Sequence, residues 1–198
     1  IEGIQNRNLS FQSNLLELSL VGEINPLGTN STGRRLQPYL YGGIAVFHFN
    51  PEANYNGQLV ELQPLGTEGQ GISEFGNNRK YKRFQPSFAI GIGLDFAISE
   101  NIKLGFEIAP RMTWTDYIDD VSGTYIGTND QILEQGELTA ALANRKGEYV
   151  FGIASSEIVE VETGEQRGDR NDNDWYLMTL TYISYRFGGP VGDIKKAN

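Results

Sequence analysis

The sequence predicts an all-β protein: a transmembrane, antiparallel, up-and-down β-barrel of eight strands. Three observations carry this. From Phe84 to Trp114 the residues alternate with a period of two on either side of a short polar turn, Ser99-Glu100-Asn101, which makes two antiparallel strands of one hairpin. One parity is uninterrupted bulky apolar (Phe88, Ile90, Ile92, Leu94, Phe96, then Leu104, Phe106, Ile108, Met112). The other is Gly, Ala and Ser mixed with Asp95, Lys103, Glu107 and Arg111. Lipid accepts large side chains on a barrel's exterior without limit, and a narrow lumen takes small and charged ones. Both runs also exceed the roughly 9–11 residues that a tilted strand needs to cross a bilayer.

Composition permits this fold. The hydrophobic share of 39% is modest, but alternating strands hide an apolar face from averaged hydropathy, and no run reaches the roughly 18 apolar residues of a membrane helix. The chain of 198 residues has no Cys and a net charge of −9. An exported β-protein without disulfides fits the first, and the acidity argues against a nucleic-acid partner.

In chain order, residues 1–8 are polar loop without a signal peptide. Residues 9–24 are expected as a strand, with Leu16, Leu18 and Leu20 on one parity, followed by a turn at 25–36. Residues 37–50 form the next strand, apolar on both parities, so its lipid face stays open. A long polar connection fills 51–82, and the hairpin follows. Residues 115–174 form a longer acidic connection in which 131–144 has helical composition and 148–162 suits a short extramembrane hairpin. The last strand is 175–187, and 188–198 is a tail.

Connections therefore alternate short and long, as in outer-membrane barrels with tight periplasmic turns and long external loops. The whole chain reads as one barrel domain with external loops at 51–82 and 115–174 and a periplasmic tail. Five strands leave open edges that lipid does not tolerate. Eight is the smallest completion, so three strands are expected before Ile1, with both termini in the periplasm. Trp114, Tyr117, Trp175, Tyr176, Tyr185 and Phe187 stand near strand ends as an aromatic girdle. Asp95, Lys103, Glu107 and Arg111 are expected to pair as a structural charge network in a lumen only wide enough for side chains.

Four stretches, YLYGGIAVFHFNPEA (39–53), LQPLGTEGQG (62–71), GFEIAPRMTWTDYIDDVSGTY (105–125) and NDWYLMTLTYISYRF (173–187), resemble the PorG-type outer-membrane β-barrel of the type IX secretion system, which serves protein secretion and gliding motility. The resemblance implies a bacterial outer-membrane structural component lying over the periplasmic ring of PorK-type lipoprotein and PorN-type subunits. It implies no enzymatic activity and no cofactor. The family's signal peptide and early strands have no counterpart in this sequence.

Other chemistry is weakly signalled. His48 is the sole histidine, with no Cys to share a zinc ion, and the serines lack a histidine partner for a triad. Asp116, Asp119 and Asp120 favour turn capping over cation binding. The run 169–174 has calcium-loop composition without the spaced glycine or terminal glutamate. LGTEGQG lacks the lysine and helix of a phosphate cradle. Three roles remain. A scaffold would be served by the tail and by a basic rim of Arg34, Arg35, Lys195 and Lys196 facing an acidic partner. An adhesin or surface-binding barrel would use the acidic loop, and a soluble lipid-binding barrel would make lipid its ligand.

Overall fold

A computed structural model describes residues 7–27, 35–72, 74, 79–151 and 158–187. Its strands are β1 (Gln12–Ser13), β2 (Leu16–Ile24), β3 (Leu36–His48), β4 (Pro51–Tyr55), β5 (Gln58–Glu61), β6 (Phe84–Ala97), β7 (Ile102–Thr113) and β8 (Trp175–Tyr185). Its helices are α1 (Thr128–Gln135), α2 (Glu137–Ala143) and α3 (Lys146–Phe151). The protein is mostly β with antiparallel sheets. One has five strands in the order β2-β3-β6-β7-β8, and the other three in the order β1-β4-β5. Among the described residues β2 and β8 are the free edges of the larger sheet.

The five expected strands are those of the larger sheet, and the alternation within it is plain. Ile90, Ile92, Leu94 and Phe96 of β6 are exposed, while Ala89, Gly91 and Gly93 are buried. In β7, Leu104, Phe106, Ile108 and Met112 are exposed against buried Gly105, Ala109 and Arg111. The face of β3 left open above is now assigned: Leu40, Ile44 and Val46 are exposed, and Tyr39, Tyr41, Ala45 and Phe47 are buried. Edge strand β2 is exposed along almost its whole length.

Strand boundaries shift where a second sheet competes for the chain. The segment 9–24 breaks into β1 and β2 because Gln12 and Ser13 pair with Glu52 and Pro51 of β4. The connection 51–82 is not plain loop, since β4 and β5 form a hairpin closed by Asn56 and Gly57 at φ 51° and 83°. That is the left-handed pair a two-residue hairpin turn demands. The single helix expected over 131–144 is two, α1 and α2, parted by Gly136 at φ 89°. The hairpin expected at 148–162 does not form at its start, where α3 lies instead. Arg145 doubly bonds Glu148 at 2.9 and 2.7 Å, a pairing that favours helical spacing.

The chain divides into two compact units. The loop unit comprises Ile1–Ser19, Ala45–Ser87 and Met112–Trp175, and the sheet unit Leu20–Ile44, Phe88–Arg111 and Tyr176–Asn198. The loop unit has its own core. Phe47, Phe49, Tyr81 and Tyr117 form a ladder of rings with successive centroids 5.7, 5.9 and 4.6 Å apart. Beside it Ala53, Leu62 and Leu142 pack together. Such ring contacts add to the stabilisation that burial alone gives.

Candidate functional site

The sheet unit gathers its polar side chains on the buried face. Lys103 Nζ donates to Asp95 Oδ2 at 2.9 Å and to Gln37 Oε1 at 3.1 Å. The Tyr182 hydroxyl donates to Asp95 Oδ1 at 2.7 Å and lies 2.9 Å from the Tyr39 hydroxyl, which in turn bonds Glu107. Arg111, 3% exposed, joins this network through Tyr41, which hydrogen-bonds both Arg111 and Glu107. It donates to the Ala109 carbonyl at 3.3 Å, lies 3.3 Å from Met178 Sδ, and engages Tyr41. The four charges expected together thus share one face, with Asp95 and Lys103 in direct contact and Tyr41 between Glu107 and Arg111. Tyrosines link Glu107 to Asp95, and these tyrosines were not anticipated.

Glycines make room for those tyrosines. A Cβ at Gly93 would fall 2.1 Å from Tyr39 Cζ, one at Gly105 2.1 Å from Tyr182 Cζ, and one at Gly91 2.6 Å from Tyr41 Cζ. Rings lying over glycines fill the buried face. Toward the short turns a cavity of about 370 Å³ remains, lined by Glu23, Asp95, Lys103, Glu107, Tyr182 and Arg186 among others.

The aromatic positions divide. Trp114, Trp175, Tyr185 and Phe187 are exposed, and the last two meet edge to face at 4.7 Å. Tyr117 and Tyr176 depart from the girdle. Tyr117 is the last ring of the loop-unit stack, and Tyr176 alternates onto the half-buried parity with Met178 and Tyr182. For both, strand parity and ring packing decide against proximity to a strand end. Arg35 of the expected basic rim is exposed, whereas Arg34, Lys195 and Lys196 lie outside the described residues.

The loop unit holds a second polar cluster that sequence reading missed. Arg167, 1% exposed, bonds Glu68 Oε1 at 3.0 Å, the Asp120 carbonyl at 2.5 Å and the Ala143 carbonyl at 3.1 Å. Glu68 Oε1 also accepts the backbone N–H groups of Ser122 and Gly123 at 2.8 and 2.9 Å. Asp120, at φ 67°, accepts from Thr67 and, at 2.7 Å, from the Tyr81 hydroxyl. The LGTEGQG run therefore serves to deliver Thr67 and Glu68 to this cluster. Its turns rest on left-handed Gly66 and Gly69, conformations that glycine adopts without steric cost. Nothing local in the sequence links Glu68, Asp120 and Arg167.

Around the cluster, burial and neighbouring carboxylates shift several acids. Asp174 is pushed up to about 7, first by burial and then by Asp119, Asp116 and Asp172. Asp116 is pushed up to about 6 by burial, with Asp119, Glu68 and Asp169 adding to it against the pull of Ser122. Burial raises Asp119 as well. Asp119 accepts the Val121 N–H at 2.9 Å, and Asp169 accepts the Asn171 N–H at 3.2 Å, both as local turns. Among the described residues no three His, Cys, Asp or Glu side chains are grouped to hold a metal ion. His48 packs its ring on Phe84 at 4.7 Å.

No protein-family model, curated protein or solved structure matches the chain.

Proposed function

We propose that the larger sheet is part of an outer-membrane β-barrel, and that the barrel is a PorG-type structural component anchoring the PorK/PorN ring of the type IX secretion system. One observation carries the membrane reading: the exposed face of the sheet is the apolar one. Leu18 is 82% exposed, Ile92 60% and Ile183 73%, while Arg111 is buried. In water such a face costs about 25 cal/mol for each Å², and in hydrocarbon it costs nothing. Strands β3, β6, β7 and β8, of 13, 14, 12 and 11 residues, are long enough to span. Among the described residues no helix is long and apolar enough to cross a membrane, a fact silent on strands.

In this reading, strand direction sets how the barrel would close. Five antiparallel strands leave β2 and β8 running the same way, so they can pair antiparallel neither with one another nor edge to edge with a second copy of the same orientation. A closed barrel would take an odd number of further strands, and three would give the smallest even barrel of the usual size. The charged, tyrosine-filled face suits an interior that side chains occupy.

The scaffold reading rests on the family resemblance. Its test is recovery of ring subunits with the detergent-extracted natural protein. Absence of PorK-type and PorN-type partners from that eluate, with the barrel intact, sinks the secretion role while leaving the membrane reading standing. The adhesin reading is favoured by a different observation: the long connections build a compact unit with a buried ionic cluster, as a surface-binding element would. Cells lacking the protein that secrete and glide normally but lose attachment would favour it.

A further inference from the structure

The loop unit holds a cavity of about 250 Å³ that the Arg167 cluster borders but does not fill. Its floor is apolar: Ala53, Leu62 and Leu142 are buried and pack together there. One wall is the segment Arg7–Phe11, whose path is fixed at several points. Arg7 Nη1 donates to the Arg167 carbonyl, and Asn8 Nδ2 donates to Glu148 Oε2 at 3.1 Å. Ser10 Oγ accepts from Arg145 Nη1 at 2.8 Å, and Gln12 and Ser13 pair with β4. A wall held in this way spares a ligand the cost of ordering it. Arg7, Arg145, Arg167 and Asp119 are the charged side chains of the lining. Two of them are already neutralised, Arg145 by Glu148 at 2.7 Å and Arg167 by Glu68 at 3.0 Å. Arg7 makes no ion pair among the described residues, and its bond to the Arg167 carbonyl leaves further N–H donors for a ligand. Asp119 Oδ1 accepts the Val121 N–H at 2.9 Å, and among the described residues no cation pairs with its carboxylate. One cation, one anion and an aliphatic floor thus border one small space.

We propose that this cavity binds a zwitterionic aliphatic amino acid such as leucine, with its carboxylate on Arg7, its ammonium on Asp119 and its side chain on Ala53, Leu62 and Leu142. Size, charge and floor each narrow the class. The volume lies below the roughly 300–1,000 Å³ of pockets for drug-sized ligands, so the ligand is small. A guanidinium and a carboxylate beside buried apolar surface call for a ligand with both charges. A ligand carrying one of them covers the opposite protein charge without a partner, and that costs free energy. The floor then rewards an aliphatic side chain, which gains by leaving water, over glycine, which has none. The site lies wholly within the loop unit, so its failure and that of the membrane or secretion readings are separate results.

Equilibrium dialysis of radiolabelled L-leucine against the full protein in detergent micelles, with empty micelles as blank, tests the site. Saturable binding is expected. Leucinamide lacks the carboxylate, N-acetylleucine the ammonium and glycine the side chain. Each should compete about tenfold less well than unlabelled leucine, or worse. Arg7→Gln should weaken leucine and erase its advantage over leucinamide. Asp119→Asn keeps an acceptor for the Val121 N–H and should erase the advantage over N-acetylleucine. A merely structural role for either residue would weaken all the ligands alike. If Asp119→Asn does not fold, Arg7→Gln with the leucine and leucinamide pair decides. No saturable uptake by the folded parent, equal competition by the analogues, or folded variants that keep the parent's preferences would each overturn the proposal.

Discussion

The ring of Tyr39 on β3 occupies the place that a side chain of Gly93 on β6 would take, with Tyr39 Cζ 2.1 Å from where that Cβ would be. The buried face of the sheet is therefore packed by rings crossing to a neighbouring strand, and its glycines are steric requirements.

Gly93→Ala should destabilise the sheet unit by about 1–3 kcal/mol, because overpacking forces ring or backbone to move. Gly22→Ala, which meets nothing within 4 Å, should be close to neutral. Urea unfolding in micelles measures both. Combining Gly93→Ala with Tyr39→Ala should return part of the loss, since the two residues share one volume.

Arg167→Met should cost the loop unit about 3–5 kcal/mol by leaving Glu68 and Asp120 buried without their cation. Limited proteolysis of the 114–174 connection reads it. The partly exposed Lys146–Glu165 pair at 2.7 Å serves as contrast, and Lys146→Ala should change stability by about 1 kcal/mol or less.

Ile92→Arg decides between solvents. In lipid vesicles an arginine on the outer face near mid-depth should cost about 2–4 kcal/mol of folding free energy. In water the same exposed position would tolerate it. Equal folding of Ile92→Arg and the parent into bilayers would count against the membrane reading.

Asp95→Asn and Lys103→Met should be non-additive. The pair at 2.9 Å has side chains 15% and 29% exposed, and each single change strands the other's charge. The double change should be less harmful than the sum by about 0.5–3 kcal/mol, as measured by a thermal-unfolding cycle. Strict additivity would mean that Tyr182 and Gln37, rather than the ion pair, hold each side chain.

What could be read from residues alone was whatever repeats at short range. The period of two from Phe84 to Thr113 placed β6 and β7 nearly to the residue and told the exposed face from the buried one. β3 resisted because Tyr39, Tyr41 and Phe47 are as bulky as Leu40, Ile44 and Val46, and only the glycines of the neighbouring strand show which set turns inward. Asn56-Gly57 marks the turn of the β4–β5 hairpin, but its two strands are short and sit in a polar stretch without a long alternation. The Glu68–Asp120–Arg167 cluster had no local signature, since its members meet only after the chain folds back across long separations. For Tyr176 strand parity, and for Tyr117 its place in the ring stack, outweigh nearness to a strand end.

The partners of Arg167 impose an order on assembly. Glu68 lies 99 residues before it in the chain, with the whole β6–β7 hairpin between. Contacts closing so long a loop form slowly, after local ones. The hairpin can form early from adjacent residues, but the loop unit cannot be completed until the chain has emerged as far as Arg167. A ribosome-bound or translocating intermediate that stops short of that residue would leave Glu68 and Asp120 as unneutralised acids, hydrated and unstructured, until the last part of the polypeptide arrives.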